Sequence, residues 1–367
     1  MKIELNENKI FFNNGKSVQE IHPFWIRERV DGDEFLDKGT QQRLFDPSTM
    51  NGEITINKAE IKNGFLEVNF NDGVNSKVDI NKLETEFSNK DKVTSSIPKK
   101  KWDSTLKNIK NFKYEANFFD SKEMYDLLFS FYEYGFVVIK NVPTENNYIV
   151  KFANSIGSVR RTNFGEHFNV KSKSNPNDLA YTTLHLSPHT DNPYRNPVPC
   201  IQLLHCIENE VSGGYSTLVD GYTVTEQLKK EDPDSYKILS EIKVRFKFID
   251  QSVVLEDWSE LIHLDDEKKF KQVRFSPRLD YVPMLEKNKL DQYYKARKKL
   301  SDMYNSEKYR IEFKLKSKDL LMMDNHRLLH GRTKFDPDEG KRFLQGCYID
   351  FDSTEGKLRH LKRKFKI

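Results

Sequence analysis

The chain has 367 residues, enough for one large domain and a small second one, and 37% hydrophobic content with 12% aromatic residues can fill a sizeable core. Sixty Lys and Arg against 56 Asp and Glu leave a formal charge of only +4, and the basic runs Lys99 to Lys101 and Arg359 to Lys366 read as solvated faces, so no nucleic-acid partner is expected. Met1 to Lys16 is studded with Glu, Asn and Lys and no apolar run approaches the roughly 18 residues of a membrane span, so the expectation is a cytoplasmic protein with no membrane partner.

The first stretch alternates apolar and polar residues at Ile54 to Ile56, Leu66 to Phe70 and Val78 to Ile80, with turn pairs at Asn51-Gly52, Asn63-Gly64 and Asp72-Gly73. Period-two alternation between such pairs predicts short antiparallel strands. Residues 1–87 are therefore expected to form a small β-rich domain, with Phe24, Trp25, Phe45, Phe65 and Phe70 in its core. Residues 88–110, rich in Ser, Lys and Asn and containing Pro98, are expected to be a linker, and residues 111–367 the main domain.

In the main domain, Asp120-Ser121-Lys122-Glu123 predicts a helix start, Met124, Leu127, Leu128 and Phe131 follow helical spacing, and Gly135 ends the run. Phe136 to Ile139 predicts a buried strand ending in Lys140. Further strands are predicted at Ile201 to His205 and Thr217 to Asp220, joined across Ser212-Gly213-Gly214. Asp232-Pro233 opens a helix through Leu239, with Pro in its favoured first position, and Leu290 to Tyr304 is another. The last strands are Asp319 to Met323 and Arg342 to Ile349. The pattern predicts a mainly β fold with flanking helices, a sandwich or jelly roll with helical buttresses.

His189-Thr190-Asp191 is followed about 140 residues later by His330 and then by Arg342. Two imidazoles and one carboxylate on one face of a metal leave three positions open, which is the donor set of a non-haem iron(II) oxygenase. The first pair is expected just before a strand and His330 just after one. Cys200, Cys206 and Cys347 are an odd number without C-x-x-C spacing and read as reduced core thiols.

His189-Thr190-Asp191, Gln202 to Cys206, Gly213-Gly214, Val219-Asp220-Gly221, Asp324 to Gly331 and Arg342 to Tyr348 together resemble the γ-butyrobetaine hydroxylase and trimethyllysine hydroxylase family of Fe(II)/2-oxoglutarate-dependent dioxygenases. The resemblance runs from His22 to Arg27 through to the C-terminal helix. It implies a double-stranded β-helix core, an N-terminal β domain and a homodimer. It also implies Fe(II) held by His189, Asp191 and His330, with 2-oxoglutarate and O2 as cosubstrates. Arg342 takes the position that pairs with the distal carboxylate of 2-oxoglutarate, for which its planar fork is suited. Lys140 matches a second cationic contact to that molecule, and Leu204 lines the same pocket. In several relatives the N-terminal domain carries zinc on three cysteines and a histidine; the segment after Arg27 here has no Cys, so no zinc is expected.

The family's aromatic cage for a quaternary ammonium group maps onto Phe164, Phe168, Tyr181 and Tyr348, with Phe at two positions where the carnitine-forming hydroxylases carry Tyr and Trp. At the anionic end of the substrate stand Asp178 and Asn192, with Tyr194, Arg195 and Arg278 nearby; both arginines serve either an anion or the structure. The expected activity is hydroxylation of a small trimethylammonium zwitterion, γ-butyrobetaine-like and giving a carnitine-like alcohol. Alternatives are 2-trimethylaminoethylphosphonate, trimethyllysine, or a non-catalytic binding protein on the same scaffold. A sulfonate- or herbicide-cleaving relative would not need an ammonium cage.

Overall fold

In the computed structural model, residues 2–50, 52–87, 97–171 and 183–367 are described. They fall into two compact units, Met1–Ser96 and Ile97–Ile367.

The first unit contains β1 (Lys2–Asn6), β2 (Lys9–Asn13), β3 (Val18–Glu20) and the short α1 (Pro23–Arg27), then β4 (Ile56–Lys62), β5 (Phe65–Phe70), β6 (Asn75–Asp79) and α2 (Ile80–Phe87). Each strand triplet forms an antiparallel sheet. The β4–β5 turn is Asn63-Gly64 with φ of 51° and 82°, a pair of positive angles that closes a tight hairpin. Alternation sends Leu66, Val68 and Phe70 inward, and therefore turns Phe65 outward, where it is 42% exposed rather than in the core. Phe24, Trp25 and Phe45 pack at the edge of that core. Arg27 is buried there, its guanidinium facing Phe35, Phe45 and Phe70 and bonded to Asp72 at 2.7 Å.

The second unit opens with β7 (Asn111–Lys113), α3 (Lys122–Tyr134), β8 (Phe136–Lys140) and α4 (Tyr148–Asn154), followed by β9 (Phe168–Val170), β10 (Leu186–His189), β11 (Ile201–Asn209) and β12 (Ser216–Asp220). Next come α5 (Gly221–Glu231), α6 (Pro233–Glu241), β13 (Val244–Ile249), β14 (Val254–Ser259), β15 (Ile262–Leu264), β16 (Phe270–Val273) and β17 (Asp280–Tyr281). The chain ends with α7 (Lys287–Asn305), β18 (Arg310–Phe313), β19 (Leu320–Asp324), β20 (Leu328–Arg332), β21 (Arg342–Ile349) and α8 (Phe351–Phe365).

Two sheets carry the site. One has four strands in the order β10-β20-β12-β18, the other six in the order β7-β8-β19-β11-β21-β9. The chain steps between them, with β10, β12, β18 and β20 in the smaller and β11, β19 and β21 in the larger, which makes a double-stranded β-helix. Leu218, Ile311 and Leu328 of one sheet share a core cluster with Phe136, Val138, Leu321 and Leu344 of the other. Trp102 joins the same cluster and donates to the Tyr134 carbonyl at 2.7 Å. Residues 88–96 of the expected linker lie outside the described residues.

The α3 cap is Ser121 rather than Asp120; its hydroxyl accepts from the Met124 amide at 3.1 Å, and Gly135 closes the helix at φ 81°. Met124, Leu127, Leu128 and Phe131 are fully buried, each contributing about 1.5 to 3 kcal/mol by leaving water. Asp232 caps α6 through the Ser235 amide. The strands around the metal-ligand candidates differ from expectation: His189 is the last residue of β10, and His330 sits in the middle of β20. Pro188 hides β10 in the sequence because Pro cannot donate to a ladder, and β10 is an edge strand where that costs nothing.

Candidate active site

β10 and β20 run antiparallel, and their register sets His189 directly opposite His330. The two rings lie 4.4 Å apart between centroids. Side-chain alternation brings Asp191 to the same side as His189 and sends Thr190 the other way, where its hydroxyl accepts from the Phe275 amide at 3.0 Å. One donor atom each from His189, Asp191 and His330 fall within 4.8 Å of one another. His189 Nδ1 is 2.9 Å from the Ser187 carbonyl, to which it donates, and this sets the ring with Nε2 toward Asp191 Oδ1, 3.4 Å away. His330 Nε2 is 3.6 Å from the same oxygen.

The second oxygen of Asp191 is occupied. Gln202 Nε2 donates to Oδ2 at 2.6 Å and the Tyr348 phenol donates to it at 2.8 Å. Gln202 and Tyr348 are cross-strand partners on β11 and β21, so one rung of the larger sheet orients a carboxylate belonging to the smaller. Asn325 clamps the Asp191 backbone, accepting from its amide at 2.8 Å and donating to its carbonyl at 3.0 Å. Burial works against the Asp191 charge, yet the neighbouring imidazoles and the phenol hold its carboxyl well below the usual range. Burial pushes His330 down to about 4, which keeps it neutral and able to ligate at neutral pH. Burial and the Asp191 charge raise the Tyr348 phenol, so it remains a donor.

A cavity of about 130 Å³ opens over these three side chains. It is lined by Leu204, Ser216, Arg332, Arg342 and Leu344, by the rings of Phe164, Phe168, Tyr194, Phe248 and Tyr348, and by Asn192 and Arg278. Arg342 and Arg332 flank the Phe335 ring at 5.3 and 5.0 Å. Burial, and for Arg342 the neighbouring Arg332 charge, pulls both guanidinium groups down to about 10. Among the described residues no carboxylate pairs with Arg342, whose one bond runs to the Gly214 carbonyl at 3.3 Å and whose Nε is buried without a partner. A buried guanidinium whose Nε has no partner, next to a second cation, suits a carboxylate.

The structure thus brings together His189, Asp191, His330, Arg342, Leu204, Phe164, Phe168, Tyr348, Asn192, Tyr194 and Arg278. It separates two others. Lys140 does not line the cavity; it ends β8 with its ammonium 2.8 Å from Asp319. Arg195 is also absent from the wall, because its guanidinium bonds to Asn163. Asp178 and Tyr181 lie outside the described residues. Sequence reasoning missed Gln202 and Asn325 as supports of Asp191, Arg332 as a second cation, and Phe248 as a wall residue. Arg332 had a signal: it stands two residues after His330 on one strand, hence on the same face.

Phe168 and Tyr348 are 5.4 Å apart between ring centroids, and Phe168 lies over Gly346, its cross-strand partner. A Cβ at Gly346 would come within 2.3 Å of the Phe168 ring, so only Gly lets that ring sit beside Tyr348.

Among known proteins, the chain is 28% identical to the γ-butyrobetaine dioxygenase of Pseudomonas sp. (strain AK-1) over 351 residues, covering 94% of this chain and 91% of that one. It is 34% identical over 237 residues to the human γ-butyrobetaine dioxygenase, covering 63% of this chain and 61% of that protein. The mitochondrial trimethyllysine dioxygenase of Mus musculus is 24% identical over 373 residues, covering 97% and 86%. Among solved structures, the non-heme iron oxygenase OrfP in complex with Fe and alpha-ketoglutaric acid superposes with a TM-score of 0.48 at 13% identity, covering 66% of this chain and 94% of that one. A family model, taurine catabolism dioxygenase TauD, TfdA family, matches residues 102–348, a span running from Trp102 in the core to Tyr348 beside Asp191. On that match the chain belongs to the TauD, TfdA dioxygenase family.

Proposed function

We propose that this dioxygenase hydroxylates a small trimethylammonium zwitterion, with γ-butyrobetaine as the substrate that the similarity to γ-butyrobetaine dioxygenases favours. The observation that carries the reading is a single cavity bounded by the His189, Asp191, His330 donor set, an unpaired buried Arg342 and a wall of aromatic rings.

The donor set fits iron(II): two imidazoles and one carboxylate oxygen converge, while the other carboxylate oxygen is already bonded. When bound, the metal supplies the activation of O2 that hydroxylation needs, with 2-oxoglutarate as co-reductant. Arg342, with Arg332 beside it, would hold the distal carboxylate of 2-oxoglutarate, and Leu204 would pack on its carbon chain. Gln202 and Tyr348 keep Asp191 from rotating, and Asn325 fixes where its backbone starts. Phe164, Phe168, Tyr194, Phe248 and Tyr348 would surround the ammonium methyls, since a quaternary ammonium cannot donate a hydrogen bond and is held by aromatic faces. Arg278 lines the cavity, and no ion pair or hydrogen bond engages it among the described residues, so it is assigned to the substrate anion. A planar fork suits a tetrahedral dianion as well as a carboxylate, which keeps 2-trimethylaminoethylphosphonate as a second reading.

Three free cysteines, two of them buried, accord with a reducing cytoplasmic setting, and no helix among the described residues is long and apolar enough to cross a membrane. The family resemblance supports a homodimer. The test is succinate release from 2-oxoglutarate with γ-butyrobetaine, trimethyllysine or the phosphonate present. Strong stimulation by one of them, abolished in Asp191→Ala, is expected; no stimulation by any trimethylammonium compound would sink the substrate class.

A further inference from the structure

Three segments around the cavity share an arrangement. Each gives an aromatic ring to the wall and, one or two residues away, a polar side chain that does not line it. The first is a tight turn closed by Thr162 and Gly165, whose amides bond to each other's carbonyls at 2.9 and 3.0 Å, with Phe164 and Asn163 between them. The second is the turn after the candidate ligand Asp191, where the Arg195 amide reaches the Asn192 carbonyl at 3.1 Å and Tyr194 precedes Arg195. The third is the β13–β14 hairpin, with Phe248 near the end of β13 and Asp250 opening the tip.

The rings meet on the cavity side. Phe248 stacks on Tyr194 at 4.9 Å and meets Phe164 edge to face at 5.7 Å. The polar side chains meet as well. Asp250 uses Oδ1 within its own turn, accepting from the Ser252 and Val253 amides at 2.7 and 2.9 Å, and Oδ2 accepts from Asn163 Nδ2 at 3.1 Å. The Asn163 carbonyl oxygen in turn accepts from Arg195. A carboxylate only accepts and a guanidinium only donates, so a side chain linking them while keeping both bonds must do each, as a primary amide does.

We propose that Asn163 is a positioning residue: its amide ties Arg195 to Asp250 and thereby holds Phe164, Tyr194 and Phe248 together as one side of the ammonium pocket. This rests on reading the cavity as the trimethylammonium site. It also gives Arg195 a task other than binding the substrate anion. The carboxyl of Asp250, held down to about 2 by the amide and hydroxyl bonds of its own turn and by Asn163, stays ionised as acceptor throughout the physiological range.

The experiment compares the full-length wild type with Asn163→Ala, Arg195→Ala and the double variant. Amide hydrogen exchange, which needs no turnover, reads the tie. Exchange at Gly165 and Val253 should accelerate about tenfold in Asn163→Ala, and the double variant should add little to either single change because all three remove the same bridge. Calorimetric titration with γ-butyrobetaine reads the wall. Its Kd should rise about tenfold in Asn163→Ala while that of 2-oxoglutarate holds. Asp250→Asn keeps its one acceptor oxygen for the Ser252 and Val253 amides and turns an NH2 donor toward the Asn163 NH2, so it should reproduce both effects with little change of shape, and it covers the case in which an alanine variant misfolds. Unchanged exchange in Asn163→Ala, or additive effects in the double variant, would overturn the bridge. Faster exchange with an unchanged Kd would overturn its link to the pocket. A wild type that binds no trimethylammonium acid would instead strike the substrate reading, with the exchange arm still deciding the bridge.

Discussion

Tyr348 and Asp191 are joined by a 2.8 Å hydrogen bond from the phenol to Oδ2, which turns Oδ1 toward both imidazoles. The bond spans the two sheets, so the orientation of a candidate metal ligand depends on how the sheets pack. Tyr348→Phe keeps the ring and its contact with Phe168 but frees the carboxylate to rotate. Iron(II) affinity is expected to fall about tenfold, the lower end of what outer partners of metal ligands contribute, and competition with a chelator measures it. Gln202→Leu should act in the same direction. An unchanged affinity in both variants would mean that Asp191 is oriented by its backbone clamp to Asn325 alone.

Arg342 is predicted to anchor 2-oxoglutarate, and Gly214 makes room for it. A Cβ at Gly214 would lie 2.7 Å from Arg342 Nε, and the backbone there has φ of +66°. Arg342→Ala should weaken 2-oxoglutarate by roughly 2 to 5 kcal/mol, the range for losing one partner of a desolvated charge pair. Gly214→Ala should do the same to a smaller degree. In both, the KM for 2-oxoglutarate should rise far more than the KM for the trimethylammonium substrate; equal rises would point to general structural damage.

Much of this was legible in the sequence because the signals are local. Alternation over Leu66 to Phe70, the apolar spacing Met124, Leu127, Leu128 and Phe131, and Pro233 after Asp232 each follow from a few neighbouring residues. The ligand pair His189 and Asp191 was legible because His-x-Asp needs only one strand end. What stayed hidden depends on register between distant strands. That Gln202 faces Tyr348, that His189 faces His330, and that Phe248 reaches the cavity are consequences of pairing. Lys140 and Arg195 illustrate the converse: their chemistry suited an anion, but Asp319 and Asn163 lie closer.

Buried histidines give the protein a defined acid limit. His205 on β11 is fully buried, and burial lowers its pKa to about 4, against an unfolded value near 6.5. With the folded pKa depressed, the unfolded chain takes up the proton first as pH falls. Stability is therefore greatest above pH 6.5, declines between about 6.5 and 4, and is flat in this contribution below 4. The loss is on the order of 3 kcal/mol for a shift of this size. Urea melts of His205→Leu at several pH values should show a shallower decline over that window, whatever the offset at neutral pH. A slope identical to wild type would remove His205 from the acid response.

The pocket is predicted to tell a cation from a neutral group of the same shape. If Phe168 and Tyr348 face the ammonium, a tert-butyl analogue of γ-butyrobetaine should bind more weakly despite equal bulk, by about 0.5 to 2 kcal/mol for each aromatic face that matters. Gly346→Ala sharpens the test because it acts on one ring. The new methyl would meet the Phe168 ring at 2.3 Å and must displace it, while the Tyr348 bond to Asp191 is made from the next position but one on the strand. The variant should therefore keep its iron and 2-oxoglutarate affinities, lose affinity for the cation, and show a smaller gap between cation and tert-butyl analogue. Arg278→Ala should leave that gap alone and instead change the ranking of phosphonate against carboxylate substrates. If the neutral analogue binds the wild type as well as the cation does, the rings are a packing cluster and the quaternary ammonium reading falls.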